Sequence, residues 1–460
     1  MKKPLLSIAF LCCLLSTAVV ADTKNQPACK VLPALPGTPA DQIADSARQA
    51  LCAIDFASPD VAVCPKNWST SAAALIYNVK GTAWEGKSAG FEADVCSRGT
   101  HAREASAGEL AIFKHSMNDR ETSGTYAPAA LVYDHLSRWL GTQVTVPVAV
   151  EQHFPAGWYS RRVVEPGLAL AHSHRASKML VAAWTQLADA IKAPDSYPEA
   201  KELFLADRQT LWGASLLFTG KRYGPEVNGT RESGWGSGQN RDFQHTAPFL
   251  LLRNPESLAT AASQAIEDAR RDPTMASALP ANTQPMQVIW WANEVLEIVV
   301  LDYLLGQQDR VGNIDYERRW IWLADGELRS EPAHTDNPPH PGAHKLSVSW
   351  LNDNDAGLRD SYANFARKTE MLVGLRHFNP HLYRRLKDLA ADFGSNGPVY
   401  SAMANNYHLR SSEFRSVVQR MQEVDAIITR DCQAGRYRFD LDPRYFLGPE
   451  SVARKHPDCE

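Results

Sequence analysis

The residues of this chain that could do chemistry sit in a few short stretches. The first is LDYLLGQQDRVGNIDYERRWIW, residues 301–322. An apolar helix pattern ends at Gly306, Asp309-Arg310 follows, then Gly312-Asn313, then a β-like run. A carboxylate just past a helix end, on a loop held by the core, is placed to act as a base or a metal ligand; the structural alternative is a capped turn. The second stretch is KLSVSWLNDNDAGLRD, residues 345–360, where an apolar strand runs into Asn352-Asp353-Asn354-Asp355-Ala356-Gly357. Carboxylates at a strand end suit magnesium, which takes one or two of them together with nucleotide phosphates; the alternative is an Asx-rich turn. The third is ELAIFKHSM, residues 109–117, with Lys114 closing an apolar strand. A lysine there is either a sheet-edge charge or a cation reaching a phosphate.

A fourth stretch offers a different chemistry. His334, Asp336, His340 and His344 fall within a Pro-rich segment, and such a tract can bind zinc or copper. His172 and His174 read as part of a helix start. There is no Walker loop, no H-E-x-x-H and no G-x-S-x-G, so P-loop, zincin and α/β-hydrolase chemistry lack sequence support.

The elements that would position these residues fall in two groups. Ala74–Val79, Gly90–Cys96, Leu110–Lys114 and Thr145–Val150 read as short strands, and Tyr126–Leu140 has helical spacing between the last two. From Ala176 onward helices dominate: Ala176–Lys192, Tyr197–Phe218, Pro255–Arg271, Val288–Leu305, Arg359–Leu375, Pro380–Ala391 and Ser411–Thr429. Val288–Leu305 carries Asn293, Glu294, Glu297 and Asp302, which mark a buried core helix rather than a membrane span. Between the second and third helices lies a Gly-, Asn- and Ser-rich loop, RYGPEVNGTRESGWGSGQNRDFQHTAP, of the kind that is often functional.

A lysine strand in a small β lobe, a following helix, a distant Asp-Arg loop and a strand ending in acids occur in that order. In this the chain resembles the atypical protein-kinase-like fold, specifically the secretory kinases of the four-jointed and Golgi casein kinase type. It is more distantly similar to HipA-type and phosphoinositide kinases. The resemblance rests on LAIFKHS, YDHLSRWLGTQVTVPVAV, YLLGQQDRVGN and WLNDNDAGL, over roughly residues 74–375. It implies an α+β, two-lobed protein-kinase-like fold, with a small β-rich N-lobe and a larger, mainly helical C-lobe. It implies ATP, or another nucleoside triphosphate, with Mg or Mn, and a γ-phosphoryl moved to a hydroxyl of a protein or glycan. Lys114 would hold the phosphates, Asp309 would be the catalytic carboxylate, and Asp353, with Asp355 as alternative, would bind the metal. Asn313 would be a second metal ligand, and Gly81, Gly86 and Gly90 would belong to a loop covering the phosphates. The glutamate that family members place on the helix after the lysine is missing: that position is Ala130. The alternatives are therefore a catalytically inactive pseudokinase acting as a binding module, and an exported metal-binding protein.

The start, MKKPLLSIAFLCCLLSTAVVADTK, reads as a cleavable signal peptide: two lysines, an apolar stretch, then Val19 and Ala21 before the cut. The expected parts are then residues 1–21 as signal peptide, 22–70 as an N-terminal extension with disulfides, 71–160 as the N-lobe and 161–460 as the C-lobe with the catalytic loop. Export to a periplasm or the exterior is the expectation. Of eight cysteines two lie in the leader, and the even remainder favours three disulfides. Cys432–Cys459 is the expected C-terminal pair, with Cys29, Cys52, Cys64 and Cys96 paired among themselves. The net charge of −4 becomes more negative when the leader's lysines leave, which argues against non-specific nucleic-acid binding. Oligomeric state has no signature in the sequence.

Overall fold

The N-terminal half of the chain supplies short runs rich in Val, Ile, Leu and Phe that can be buried on both faces. In the computed structural model, which describes residues 26–96, 101–119, 121–173, 176–217, 221–448 and 456–459, these runs form one sheet. The expected signal peptide and His174 lie outside the described residues. The strands are β1 (Ala28–Lys30), β2 (Val61–Pro65), β3 (Ala74–Asn78), β4 (Gly108–His115), β5 (Ala149–Pro155) and β6 (Thr210–Leu216). Their order is β1-β5-β6-β4-β3-β2, and every neighbouring pair is antiparallel.

Alternation along β3 and β4 sorts side chains to two cores. Leu75, Tyr77 and Ile112 face the larger core, while Ile76, Ala111 and Phe113 face the smaller one. Lys114 therefore projects on the same side as Ile112. The helices are α1 (Gln42–Cys52), α2 (Ser88–Asp94), α3 (Ala127–Leu140), α4 (Lys178–Lys192), α5 (Leu258–Arg271), α6 (Pro285–Leu305), α7 (Pro380–Gly394) and α8 (Ser411–Gln433). Helix α4 covers the outer face of the sheet through Leu180, Trp184 and Leu187, and α3 covers the inner face. Helix α6 is buried at the centre of the helical lobe, with α5 and α8 packed against it. A second sheet of β7 (Lys221–Arg222), β8 (Ile314–Ala324), β9 (Glu327–Pro332) and β10 (His344–Leu351) flanks it. The fold is thus α+β and two-lobed.

Three local expectations give way. Gly90–Cys96 is not a strand: most of it lies in α2, where Ser88 and Phe91, with Val95 at the C-cap, share one buried face at helical spacing. Tyr197–Phe218 is not one helix, because Thr210–Leu216 is the strand β6. Strand β4 is central and buried, so its second edge needs a hydrogen-bonding partner, and β6 provides it. A side chain at Gly213 would collide with the Lys114 carbonyl, so only glycine permits this approach. Arg359–Leu375 holds only one helical turn, Phe365–Lys368, since Leu358 and Glu370 take left-handed backbone.

The lobe boundary at residues 160 and 161 shifts for the same reason. The sheet takes β6 from the expected C-lobe, and β1 and β2 from the expected extension. The disulfides are Cys29–Cys52, Cys64–Cys96 and Cys432–Cys459. Asn293, Glu294, Glu297 and Asp302 of α6 are all buried and bonded. Glu294 accepts from the Ser349 amide and hydroxyl, and Glu297 accepts from the amides of Gln143 and Val144. No described helix is long and apolar enough to cross a membrane.

Candidate functional site

Helix α6 positions both chemical loops. At its end Asp302 takes a forked ion pair from Arg310, with Nε 3.0 Å from Oδ2 and Nη2 3.0 Å from Oδ1. Arg310 also donates to the Asn352 carbonyl (2.8 Å) and to Asn354 Oδ1 (2.9 Å). One buried guanidinium thus ties the loop of Asp309 to the loop of Asp353 and Asp355.

The structure brings Lys114, Asp353 and Asp355 together across the lobes. Lys114 Nζ lies 2.5 Å from Asp353 Oδ1 and 2.6 Å from Asp355 Oδ1. Burial alone would lower this ammonium, but the two carboxylates outweigh it and hold it above the usual lysine range. Burial would raise Asp353, but Lys114 and Lys66 hold it well below the carboxylate range.

Two cavities open on either side of the β2–β3 hairpin. One, of about 360 Å³, is lined by Leu75, Tyr77 and Ile112, by the Arg103–Glu109 ion pair beside Tyr77, and by Lys66, Arg222, Asp315 and Asp353. Trp68 and Ser69 of the hairpin line it too. Its size and its mix of apolar and charged walls suit a nucleotide. The other, of about 590 Å³, is lined by Asp309, Trp235, Met179, Ser361, Asn118 and Thr70, among others. Trp235 is exposed and its indole N–H donates to Asp309 Oδ1 at 3.2 Å. Burial, with the nearby Asp353 charge, raises the Asp309 carboxyl, opposed by that indole hydrogen bond. A raised carboxyl suits a group that takes a proton.

Gly81, Gly86 and Gly90 are not brought to this site. In the register Ala74 pairs with Phe113 and Asn78 with Gly108, so the loop after Asn78 lies at the far end of β4 from Lys114. Five strand residues put it about 16 Å away. The Gly81 and Gly86 amides bond Glu85 and Asp60, and Gly90 lies inside α2. The loop at the Lys114 end is residues 66–73, KNWSTSAA, closed by the Lys66 amide on the Ala73 carbonyl at 2.8 Å.

Lys66, in that loop, was missed by sequence reasoning. It is buried, and burial and the Lys114 charge lower its ammonium, with Asp353 and Asp355 opposing. Asp315 and Arg222 were missed as well. The signal available for Lys66 was a hydroxyl-rich turn between two buried runs; for Arg222 and Trp235 it was the Gly-rich loop that contains them.

The donor set around Asp353 fits a hard divalent cation. Asp353 and Asp315 offer carboxylate oxygens to the same cavity. Asp315 Oδ1 lies 3.2 Å from Arg222 Nε, but it is buried and accepts no hydrogen bond, so its lone pairs are open. Asn313 differs: its Oδ1 accepts from Arg222 Nη1 at 2.7 Å, and its amide donates to the Asp309 carbonyl at 2.6 Å. A metal on that oxygen would sit beside the Arg222 guanidinium, which disfavours a cation there. Asp355 lines neither cavity. Among the described residues no cluster of three or more His, Cys, Asp or Glu could hold a metal alone. Magnesium does not need one, because substrate phosphates and water complete its shell.

Among the described residues the histidine tract forms no metal-ligand cluster either. Asp336 pairs with Lys345 at 2.6 Å, and His340 stacks on Trp322. Asn228 of the Gly-rich loop is buried, its Oδ1 accepting from the Gly312 amide at 2.8 Å, so it braces the Asp309 loop.

No protein-family model matches the chain, and no curated protein matches it. Among solved structures the chain is similar to the crystal structure of the Golgi casein kinase with Mn/ADP bound. The TM-score is 0.42 and the identity 11%, over 85% of this chain and 76% of that one.

Proposed function

We propose that the protein is an exported kinase-like phosphotransferase that moves the γ-phosphoryl of a nucleoside triphosphate to a hydroxyl of a protein or glycan. The observation that carries this reading is the pair of cavities on either side of one hairpin. Lys66 and the low-pKa carboxylate Asp353 line the first, with Lys114 buried directly behind Asp353, and the raised carboxyl Asp309 lines the second.

Phosphoryl transfer asks the protein mainly to position groups and to supply positive charge. Lys114 and Lys66 would bind phosphate oxygens, and Asp353 with Asp315 would hold Mg or Mn. When bound, that ion neutralises phosphate charge. Asp309 faces the second cavity and accepts the proton of the acceptor hydroxyl as its oxygen bonds the γ-phosphorus. The bond from that phosphorus to the bridging oxygen breaks, and the nucleoside diphosphate leaves with the electron pair. Trp235 orients Asp309 Oδ1 through its indole N–H.

Three disulfides support an oxidising compartment, in line with the leader read in the sequence. The test is calorimetric titration of the mature chain with ADP at several Mg and Mn concentrations. Metal-dependent binding is the expected result, and its absence with either metal refutes the reading.

A further inference from the structure

We infer that Asp355 is the residue that positions the phosphate lysine, in the role other kinases give to a helix glutamate, and that Asp353 is thereby left to the metal. The inference rests on the phosphotransferase reading above.

The two carboxylates that meet Lys114 stand in different surroundings. The Asp353 side chain is 31% exposed and lines the nucleotide-sized cavity. The Asp355 side chain is 3% exposed and lines neither cavity. Asp355 is also fixed by its backbone. Its carbonyl accepts from the Tyr126 amide at 2.8 Å, at the start of α3. The next carbonyl, of Ala356, accepts from the Gln308 amide at 3.0 Å, and the Leu358 amide bonds Leu305 at 2.6 Å. The turn that carries Asp355 is therefore pinned to α3, to the Asp309 loop and to the end of α6.

Helix α3 offers no competing acid. Tyr126, Ala130 and Tyr133 fall on one face at helical spacing. Tyr126 touches Asp355 through its amide, and a side chain on Gly357 would meet the Tyr133 ring at 3.3 Å. Ala130 lies between them, and its small side chain lets the turn approach. The acid of α3, Asp134, is engaged elsewhere: its oxygens accept from Arg48 (2.9 Å), Arg138 (2.6 Å) and the Ala149 amide (3.0 Å).

One carboxylate cannot serve a buried ammonium and a metal equally well. When Asp353 turns to a cation, Lys114 would lose a partner, and an unpaired buried ammonium is costly. Asp355 removes that conflict. The lysine is set by the turn that carries the metal carboxylate, so no movement of α3 is needed to align it.

The experiment is ADP titration of the full mature chain over a series of Mn concentrations, which reads nucleotide affinity and metal half-saturation separately. Asp355→Asn should weaken ADP about tenfold at every Mn concentration and leave the half-saturation within about twofold. Asp353→Asn should raise the half-saturation about tenfold or more. In a Lys114→Met background Asp355→Asn should change ADP binding by less than about twofold, while Asp353→Asn still acts. The inference is overturned if Asp355→Asn moves the half-saturation as far as Asp353→Asn does, or if its effect survives Lys114→Met undiminished. If Asp355→Asn does not fold, the Lys114→Met/Asp355→Asn variant decides: recovered folding supports the pairing, and continued failure overturns it. A wild type that binds no ADP at any metal concentration removes the phosphotransferase reading, and this inference falls with it. Binding by the wild type with the wrong Asp355 result removes the inference alone.

Discussion

Arg310 and Asp302 form a forked ion pair that is almost wholly buried, and through it the end of α6 holds the loop of Asp309 in place. Removing one partner of such a pair strands the other charge in the core. Arg310→Ala should therefore destabilise the protein by about 3–5 kcal/mol, measured by urea unfolding. Arg310→Lys should recover only part of that loss, because an ammonium cannot reproduce the fork. Equal stability of Arg310→Ala and wild type would show that the pair does not hold the loop.

Lys66 offers a second phosphate cation from the β2–β3 hairpin. Lys66→Ala should lower nucleotide affinity about tenfold, a typical value for one charge-assisted contact. The variant should stay folded, since among the described residues the Lys66 ammonium makes a single hydrogen bond, a weak 3.4 Å one to Ser71, and Asp353 keeps its Lys114 partner. Gly81→Ala should leave nucleotide affinity unchanged, although Gly81 has a left-handed φ of 76° and the variant will be strained there. Calorimetry on both variants tells which turn meets the nucleotide.

Much of this arrangement was legible in the sequence, and what was not has physical causes. Lys114, Asp309 and Asp353 stand out because each closes an apolar element, and the chain folds those elements as read. Strand β6 was read as helix because its neighbours on both sides decide its state, and they lie far away in sequence. Glycine content points to the turn after Asn78, yet register decides which turn meets Lys114, and register is a property of paired strands. Lys66, Asp315 and Arg222 come from three separate segments. Only the closed sheet and the cavity bring them together.

Stability should respond to acid through the contact between the lobes. Glu151 of β5 is buried and meets His153 at 2.7 Å, His408 at 3.3 Å and Lys30 at 3.4 Å. Burial would raise this carboxyl, but hydrogen bonds from the two histidines and the Lys30 charge hold it below the usual range. A carboxyl depressed in the folded state stabilises above its unfolded pKa, and that contribution is lost as pH falls through the folded value. Thermal unfolding from pH ~7 to ~2 should show a steep acid limb that Glu151→Gln flattens, with a loss of roughly 2 kcal/mol at neutral pH. An unchanged acid limb in the variant would place the acid sensitivity elsewhere.

Trp235 should matter to transfer and not to nucleotide binding. It is exposed in the second cavity and reaches Asp309 through one hydrogen bond. Trp235→Phe keeps the ring and removes the donor. ADP affinity should stay within about twofold, while transfer should slow about tenfold. A matched loss of ADP affinity would assign Trp235 to the nucleotide side.

The most direct test of the central claim is single-turnover transfer from γ-labelled ATP with Mn, run on wild type and Asp309→Asn with ADP affinity measured on both. Wild type should transfer label to a hydroxyl acceptor from an exported protein and glycan panel. Asp309→Asn should bind ADP as wild type does and transfer at least about a hundredfold more slowly, the usual loss when a positioned base is removed. Equal transfer by the two proteins, or metal-dependent binding by wild type with no transfer to any acceptor, would contradict the account.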